Sequence, residues 1–314
     1  MDLLSIGEML IDFLPGDTAG SYLQNFGGAP ANLAIAAARN GLKTGFCGKV
    51  GDDFFGRFLQ DTLRDNGVEV LCRDKTAEAV TTMAFVSLAE NGERTFTFAR
   101  KPGADMFLTR EDLPPSLIKQ TSVLHAGSVS LSKGPAADAT AYALETAHAL
   151  GKQVSFDINY RDMLWDHDRE SARHAVQNIL PFVDWLKVSD EEVDFLDGEA
   201  NIPFLIEAYD LAFVVVTLGA KGARAYFNGQ VLDVAGIPAR AADTTGAGDA
   251  FWGGVISSLI LQGVAGRSGL SASVLMQAMR YGNVSGHLSV QQKGAIASLP
   301  DQATIEEHVR RIYG

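Results

Sequence analysis

Two kinds of hydrophobic periodicity alternate along this chain, and that alternation restricts the fold more than any other feature. The run LLSIGEMLIDFL reads as an opening strand, and GGAPANLAIAAARNGL reads as a glycine turn followed by an alanine-rich helix closed by Gly41. TGFCGKV is a short strand, and DDFFGRFLQDTLRDNG is an amphipathic helix capped by Asp52 or Asp53, with Gly67 past its end. Parallel strands need a long crossover between them, and helices are the usual crossover. Strand and helix in strict turn therefore predict a parallel sheet covered by helices.

TTMAFVSLAENGERTFTFAR breaks the pattern with two strand-like runs around Asn91-Gly92, a pair that tolerates the positive φ angles of a tight hairpin. A hairpin inside an α/β chain reads as an excursion from the main sheet. Alternation then resumes: strand VLHAGSVSL, helix 135–150 ended by Gly151, strand QVSFDINY, helix 169–180, strand DWLKVS and helix 190–197. Strand LAFVVVTLG follows, then a second hairpin around Asn228-Gly229, a strand-like run ending at Asp243, and two closing helices, 246–262 and 272–289. No repeat, low-complexity tract or Pro/Ser linker divides the 314 residues, which favours one continuous core.

A net charge of −12 argues against a general nucleic-acid or anionic-membrane surface but leaves room for a local anion pocket. Cys47 and Cys72 match neither a metal nor a disulfide spacing, so a reducing cytoplasm is the expected setting. MDLLSIGEMLIDFLPGD lacks a basic start, so no export leader is expected, and no apolar run reaches membrane-span length.

The segment DTTGAGDAF sets three small residues before an acid at the mouth of an apolar helix. The first amides of a helix are unpaired and partly positive. Gly246, Ala247 and Gly248 leave them open to a bulky anion. Asp249, in the first turn, is badly placed to bind phosphate and well placed to take a proton from an attacking hydroxyl. An acid there equally serves as ordinary compensation of the helix dipole.

FGGAPANLA repeats the arrangement: Gly27 and Gly28 permit close approach, and Asn32 offers both donor and acceptor, as a polyol needs. In FDINYR, alternation places Asp157, Asn159 and Arg161 on one face at a strand end, where α/β sheets bind ligands. KVSDEEVDFL permits a capping box from Ser189 to Glu192, and Glu192 could instead help hold a hydrated Mg²⁺. TLGAKG carries Thr217, Gly219 and Gly222 after a buried strand. No G-x-x-x-x-G-K-[ST] and no G-x-G-x-x-G follows the first strand, so neither a P-loop nor a dinucleotide fold is expected.

Together these segments resemble the ribokinase-like (PfkB) carbohydrate kinases. GGAPANLAIAAARNG is similar to the family's N-terminal signature and DTTGAGDAF to its C-terminal one, and within the family RTFTFARKPGADMFLT, LHAGSVSLS and SFDINYRDMLW look like bacterial fructokinases. The resemblance implies a three-layer αβα fold with a mostly parallel sheet and a small β-lid. The core would span 1–10, 31–78 and 107–314, and the lid 11–30 and 79–106. It implies transfer of the ATP γ-phosphate to a sugar hydroxymethyl group, with D-fructose giving fructose 6-phosphate. Kinases of the same family for 2-keto-3-deoxygluconate, ribose or a riboside are the alternatives, and a catalytically weak sugar sensor is a more distant one. A dehydrogenase is disfavoured by the missing fingerprint.

Residue by residue, Asp249 matches the family's general base and Gly246, Ala247 and Gly248 its anion hole. Asp12, Gly27, Gly28 and Asn32 match sugar-binding positions, and Arg100, Asn159 and Arg161 positions near sugar and transferred phosphate. Lys187, Thr217, Gly219, Gly222 and Asn283 match the nucleotide side. Asp243, Thr245, Gly294 and Ser298 match a monovalent-cation loop, which implies K⁺. Glu192 matches the Mg²⁺ position, with Ser189 in place of the family's Asn, and Ala297 stands where many members carry Pro. The resemblance also implies a homodimer through the lids, with Met83, Phe85, Val86, Phe96 and Phe98 supplying apolar surface.

Overall fold

The computed structural model describes residues 1–314 apart from 17, 19, 89–93, 265, 267 and 268, and leaves the side chains of 87, 88 and 94–96 undescribed. The strands are β1 (Leu3–Ile6), β2 (Leu10–Pro15), β3 (Tyr22–Gly27), β4 (Thr44–Cys47), β5 (Glu69–Val70), β6 (Met83–Leu88), β7 (Arg94–Ala99), β8 (Val123–Gly127), β9 (Gln153–Asp157), β10 (Trp185–Ser189), β11 (Phe213–Thr217), β12 (Gly222–Phe227) and β13 (Gln230–Ala235). The helices are α1 (Ala29–Arg39), α2 (Phe54–Asp65), α3 (Pro115–Ile118), α4 (Gly134–Ala149), α5 (Arg169–Ile179), α6 (Ile202–Tyr209), α7 (Ala247–Leu261), α8 (Ala272–Ser289) and α9 (Gln302–Tyr313).

Among the described residues, nine strands form the main sheet in the order β13-β12-β11-β10-β9-β8-β1-β4-β5. The strands from β5 to β11 run parallel, and β12 and β13 add an antiparallel hairpin at one edge. Both faces of the sheet are buried. Leu4, Val214 and Val216 pack with α4 and α5 in one apolar cluster. Leu3, Phe213 and Val215 pack with α1, α7 and α8 in another. Alternate residues of one strand therefore serve opposite layers, which is why these strands read as unbroken apolar runs. Each such side chain buried contributes about 1.5–3 kcal/mol of transfer free energy. The result is the expected three-layer αβα architecture.

A second sheet, β3-β2-β6-β7, stands apart from the main one. Its β6–β7 pairing is antiparallel, as the hairpin pattern predicts, although the Asn91-Gly92 turn itself lies outside the described residues. Asp53 caps α2 by accepting the Gly56 amide at 2.7 Å and also accepts the Thr81 amide at 2.8 Å, which ties that helix to the root of the excursion.

Several expected elements differ. The opening strand is two strands: Gly7, at φ 141°, ends β1, and β2 belongs to the small sheet. VLHAGSVSL is extended only to Gly127 and then coils into a 3₁₀ turn. The expected helix 190–197 is only a 3₁₀ turn at Val193–Leu196, stopped by Asp197 in the left-handed region. Residues 236–243 form no strand, since Pro238 cannot donate to a ladder. A further helix, α9, closes the chain; Asp301 caps it, but only Ile305 is buried, so its apolar stripe is faint. No helix among the described residues is long and apolar enough to cross a membrane.

Candidate active site

The chain runs from β1 outward to β4 and β5, then returns to β8 on the other side of β1. That reversal opens a crevice past the carboxyl ends of β1 and β8, the place where open α/β sheets hold ligands. A cavity of about 530 Å³ lies there, lined by Glu8, Asp12, Gly28, Asn32, Val129, Asn159, Arg161, Lys187, Thr244, Thr245, Gly246, Gly248 and Asp249, with apolar wall from Leu10, Phe98, Met163 and Leu164.

Two helix mouths point into it. Ser5 Oγ donates to Pro30 O at 2.7 Å and so pins the first turn of α1 onto β1. Gly28 precedes that turn at φ 109°, and a Cβ there would lie 2.5 Å from the Glu8 carbonyl oxygen, so only glycine fits. A Cβ on Gly27 would lie 2.2 Å from Asp12 Oδ2; the bare backbone makes room for that carboxylate. At the other mouth, Gly246 caps α7 in the left-handed conformation. α7 is buried nearly all round, from Asp249 to Leu259, so its start is held rigidly.

The two signatures meet here: Asn32 Nδ2 donates to Asp249 Oδ2 at 2.8 Å. The Asn32 Oδ1 is buried without a partner. Lys187 donates to Asp157 Oδ2 at 2.7 Å, and a Cβ on Gly248 would come 3.4 Å from Lys187 Nζ, so this ammonium lies beside the mouth of α7.

Burial pushes the carboxyls of the site upward. Glu8 rises to about 8 through burial, with Asp105 and Asp249 adding and Arg100 opposing. Asp12 rises to about 6 through burial, with Arg161 opposing and Asp249 adding. Asp249 is raised by burial, and the Asn32 hydrogen bond, Lys187 and Arg161 hold it down. Burial pulls Lys187 down, but Asp157 and Glu192 outweigh it and keep the ammonium charged. The buried Lys187 ammonium and the Arg161 guanidinium among closely set carboxyls make a pocket for a ligand with both hydroxyls and negative charge.

The structure brings Asp12, Gly28, Asn32, Asn159, Arg161, Lys187, Thr245, Gly246, Gly248 and Asp249 to one cavity wall. Gly27 sits behind Asp12, as above. Ala247 is turned away, and its amide donates to Thr244 O at 3.3 Å. Arg100 does not reach this cavity: its guanidinium is buried against Asp105, with an Nε–Oδ2 distance of 2.9 Å, and faces a smaller neighbouring cleft. Asn159 and Arg161 arrive by a different route from the one alternation implied. β9 ends at Asp157, and Asn159 turns the chain at φ 39°, so a loop and not a strand face delivers them.

Glu192 lies farther along the same sheet edge, accepting the Tyr160 amide at 2.6 Å and the Ser189 amide at 3.0 Å; this is half of the expected capping box, without the helix. The positions expected on the nucleotide side lie beyond it. Thr217 ends β11, Gly219 follows it, and Gly222 pairs with Ala235, whose carbonyl accepts Asn283 Nδ2 at 2.9 Å. The cation-loop positions also converge. Asp243 Oδ1 accepts the Thr245 hydroxyl at 2.7 Å, its Oδ2 accepts the Gly294 amide at 3.1 Å, and the Ser298 amide donates to Gly294 O at 3.1 Å.

The model of the pfkB family of carbohydrate kinases matches residues 1–302. This chain belongs to that family. It is 38% identical to fructokinase-1 of Zea mays over 319 aligned positions, covering 98% of each chain. Among solved structures, a Xylella fastidiosa fructokinase with bound ATP superposes with a TM-score of 0.91 at 30% identity, covering 99% of this chain and 98% of that one. A Vibrio cholerae fructokinase solved with fructose, ADP and calcium superposes at 0.87 with 36% identity, covering 98% of both.

Glu8, Asp162 and Thr244 are polar pocket residues that sequence reasoning missed, and the apolar wall was not foreseen either. Reading LLSIGEMLIDFL as one strand hid the fact that Gly7 and Glu8 form the loop at the end of β1. For Thr244, the run expected to be strand up to Asp243 masked a loop.

Proposed function

We propose that this carbohydrate kinase transfers the γ-phosphate of ATP to a hydroxymethyl group of D-fructose, giving fructose 6-phosphate and ADP. The observation that carries the reading is the Asn32–Asp249 contact at the mouth of α7. It sets a buried carboxylate beside the open amides of a helix start, in the same cavity as Asp12, Asn159 and Arg161. The choice of fructose rests on the whole-length likeness to fructokinases, one of them solved with fructose and ADP.

In this mechanism Asp249 accepts the proton of the attacking hydroxyl. The freed oxygen forms a bond to the γ-phosphorus as the bond to the bridging oxygen of ADP breaks. Helix amides at Gly246 and Gly248, with Lys187 and Arg161, offset the charge on the transferring phosphoryl group. Asp12, Gly27, Gly28, Asn32 and Asn159 hold the sugar, and Thr217, Gly219, Gly222 and Asn283 face the nucleotide. Mg²⁺ would supply charge neutralisation between the β- and γ-phosphates. Both oxygens of Glu192 already accept backbone amides, so this carboxylate suits a bridging water better than a direct bond. The buried Asp243 carboxylate, with the Thr245 hydroxyl beside it, suits K⁺. The segments 11–30 and 79–106 act as a lid that excludes water as a competing acceptor. Two lids pair in a homodimer. A reducing cytoplasm suits Cys47 and Cys72, both buried free thiols.

A coupled ADP-release assay over D-fructose, D-ribose, 2-keto-3-deoxygluconate and a riboside tests the reading. Fructose is expected to give the highest kcat/KM. A higher value for another sugar overturns the choice of substrate, and no sugar-dependent ADP release overturns the kinase.

A further inference from the structure

Glu8 has no role in the mechanism above, yet it lines the cavity with only 3% of its surface exposed. It lies just past β1, the strand beside the reversal of the sheet, where the ligand crevice opens. One carboxyl oxygen, Oε1, accepts the Ala29 amide at 3.3 Å in the first turn of α1. The other, Oε2, is buried with no partner. One turn along the same helix, Asn32 carries the second such atom of the cavity wall, its Oδ1.

Burial favours the neutral form of the carboxyl. The charged groups that face it are Asp105 and Arg100 on one side, already paired with each other, and Asp249 on the other. Arg100, held by Asp105, opposes the shift only in part, and burial pushes Glu8 up to about 8. A buried unpaired carboxylate is far costlier than a neutral acid. The neutral acid has one O–H, and a buried donor with no acceptor is itself destabilising. Among the described residues no partner reaches Oε2. A sugar hydroxyl can accept its O–H, and the same hydroxyl has a proton for Asn32 Oδ1. An acid O–H and an amide oxygen on one wall match the two halves of a hydroxyl.

We infer that Glu8 is a specificity-determining residue of the sugar site, donating its Oε2–H to a non-reacting hydroxyl of the substrate and rejecting, with Asn32 Oδ1, sugars that lack that hydroxyl. The inference deepens the sugar-kinase reading and rests on it.

Glu8→Leu and Glu8→Gln test it, measured on whichever sugar the wild type phosphorylates best. Leu fills the space without a polar atom. Gln keeps an acceptor for the Ala29 amide and replaces the O–H by an N–H. Glu8→Leu is expected to raise the sugar KM about 10–100-fold, the scale of a buried partner left unpaired, while the KM for ATP holds. Glu8→Gln restores most of that sugar affinity. Sugar KM in the wild type should climb above about pH 8 as the acid ionises, and Glu8→Gln should remove that climb. Among monodeoxy analogues, the one penalised most by the wild type should suffer no added penalty in Glu8→Leu.

Equal damage by Gln and Leu would mean that the anion is required, and would overturn the inference. So would a sugar KM unchanged in both, or a loss confined to melting temperature and kcat. Should Glu8→Leu fail to fold, the pH dependence of sugar KM in Glu8→Gln decides alone: a surviving climb overturns the inference. A wild type that phosphorylates no sugar would instead sink the functional reading.

Discussion

Asn32 and Asp249 stand 217 residues apart in the chain and 2.8 Å apart in the fold, the amide of one donating to the carboxylate of the other. Each comes from the first turns of a helix preceded by glycine, and their contact joins the two helix mouths. The bond also sets the proton affinity of Asp249, which burial raises and Asn32 pulls back down.

Asn32→Leu should therefore move the acid limb of the kcat/KM profile to higher pH. The ionised carboxylate is the active form, so activity rises as pH climbs through its pKa. Removing a donor that favours the ionised form lifts that pKa further, and the variant should lose more activity at pH 6 than at pH 8.5. A limb that stays in place would show that the contact does not tune the base.

Gly28→Ala should disable the protein through its backbone. The site holds φ 109°, and the new Cβ would meet the Glu8 carbonyl oxygen at 2.5 Å. Strain and overpacking together cost about 2–6 kcal/mol. A thermal melt should show a large fall in Tm, with sugar KM raised in whatever folds. A melting point equal to wild type would mean that this turn is looser than its geometry states.

Much of this was legible in the sequence, for local reasons. Short, β-branched apolar runs such as Phe213–Val216 read as doubly buried strands, and glycines before helices announce open amides. The Glu8 loop was not legible, because the apolar run resumes at Met9 after only Gly7 and Glu8, too short a break to separate from one strand. Arg100 matches a family position near the sugar and transferred phosphate, yet Asp105, five residues on, captures its guanidinium, and no pattern in the sequence distinguishes those two outcomes. Asn159 reached the site as expected, but through a left-handed turn that strand alternation cannot foresee.

Activity should depend on K⁺. Asp243 gathers Thr245 and the Gly294 amide directly before the mouth of α7, and a Cβ on Gly246 would come 3.1 Å from Ala295 Cβ, so order in that loop passes to the anion site. Rates in potassium should exceed those in a bulky organic cation at equal ionic strength, and Asp243→Ala should erase the difference. Equal rates for the wild type in the two buffers would contradict the assignment.

The lid sheet should pair with a second copy. Phe13 stacks on Phe85 at 4.9 Å and Tyr22 meets Phe85 edge-on at 5.8 Å, while Tyr22 and Leu23 remain 46% and 58% exposed on the edge strand β3. An exposed apolar edge strand is a pairing surface. Light scattering at micromolar concentration should give a dimer, and Leu23→Glu should shift it toward monomer. A wild-type monomer would refute the pairing.

Asp249→Asn separates catalysis from ordinary helix compensation. The substitution keeps the shape, the start of α7 and an oxygen for the Asn32 amide, and removes only the proton acceptor. Sugar and ATP should still bind, and the chemical step should fall about 10²–10⁴-fold, the scale of a general acid–base group. Were the acid there merely to complement the dipole, its loss would cost about 1 kcal/mol of stability at most and leave turnover nearly normal. Burial of Asp249 in the cavity, with Lys187 and Arg161 near enough to act on its charge, favours the first outcome. Single-turnover phosphoryl transfer measured beside a melting curve distinguishes them. A folded Asp249→Asn protein with wild-type transfer would remove the base from the mechanism, and with it the reason for three small residues before an acid.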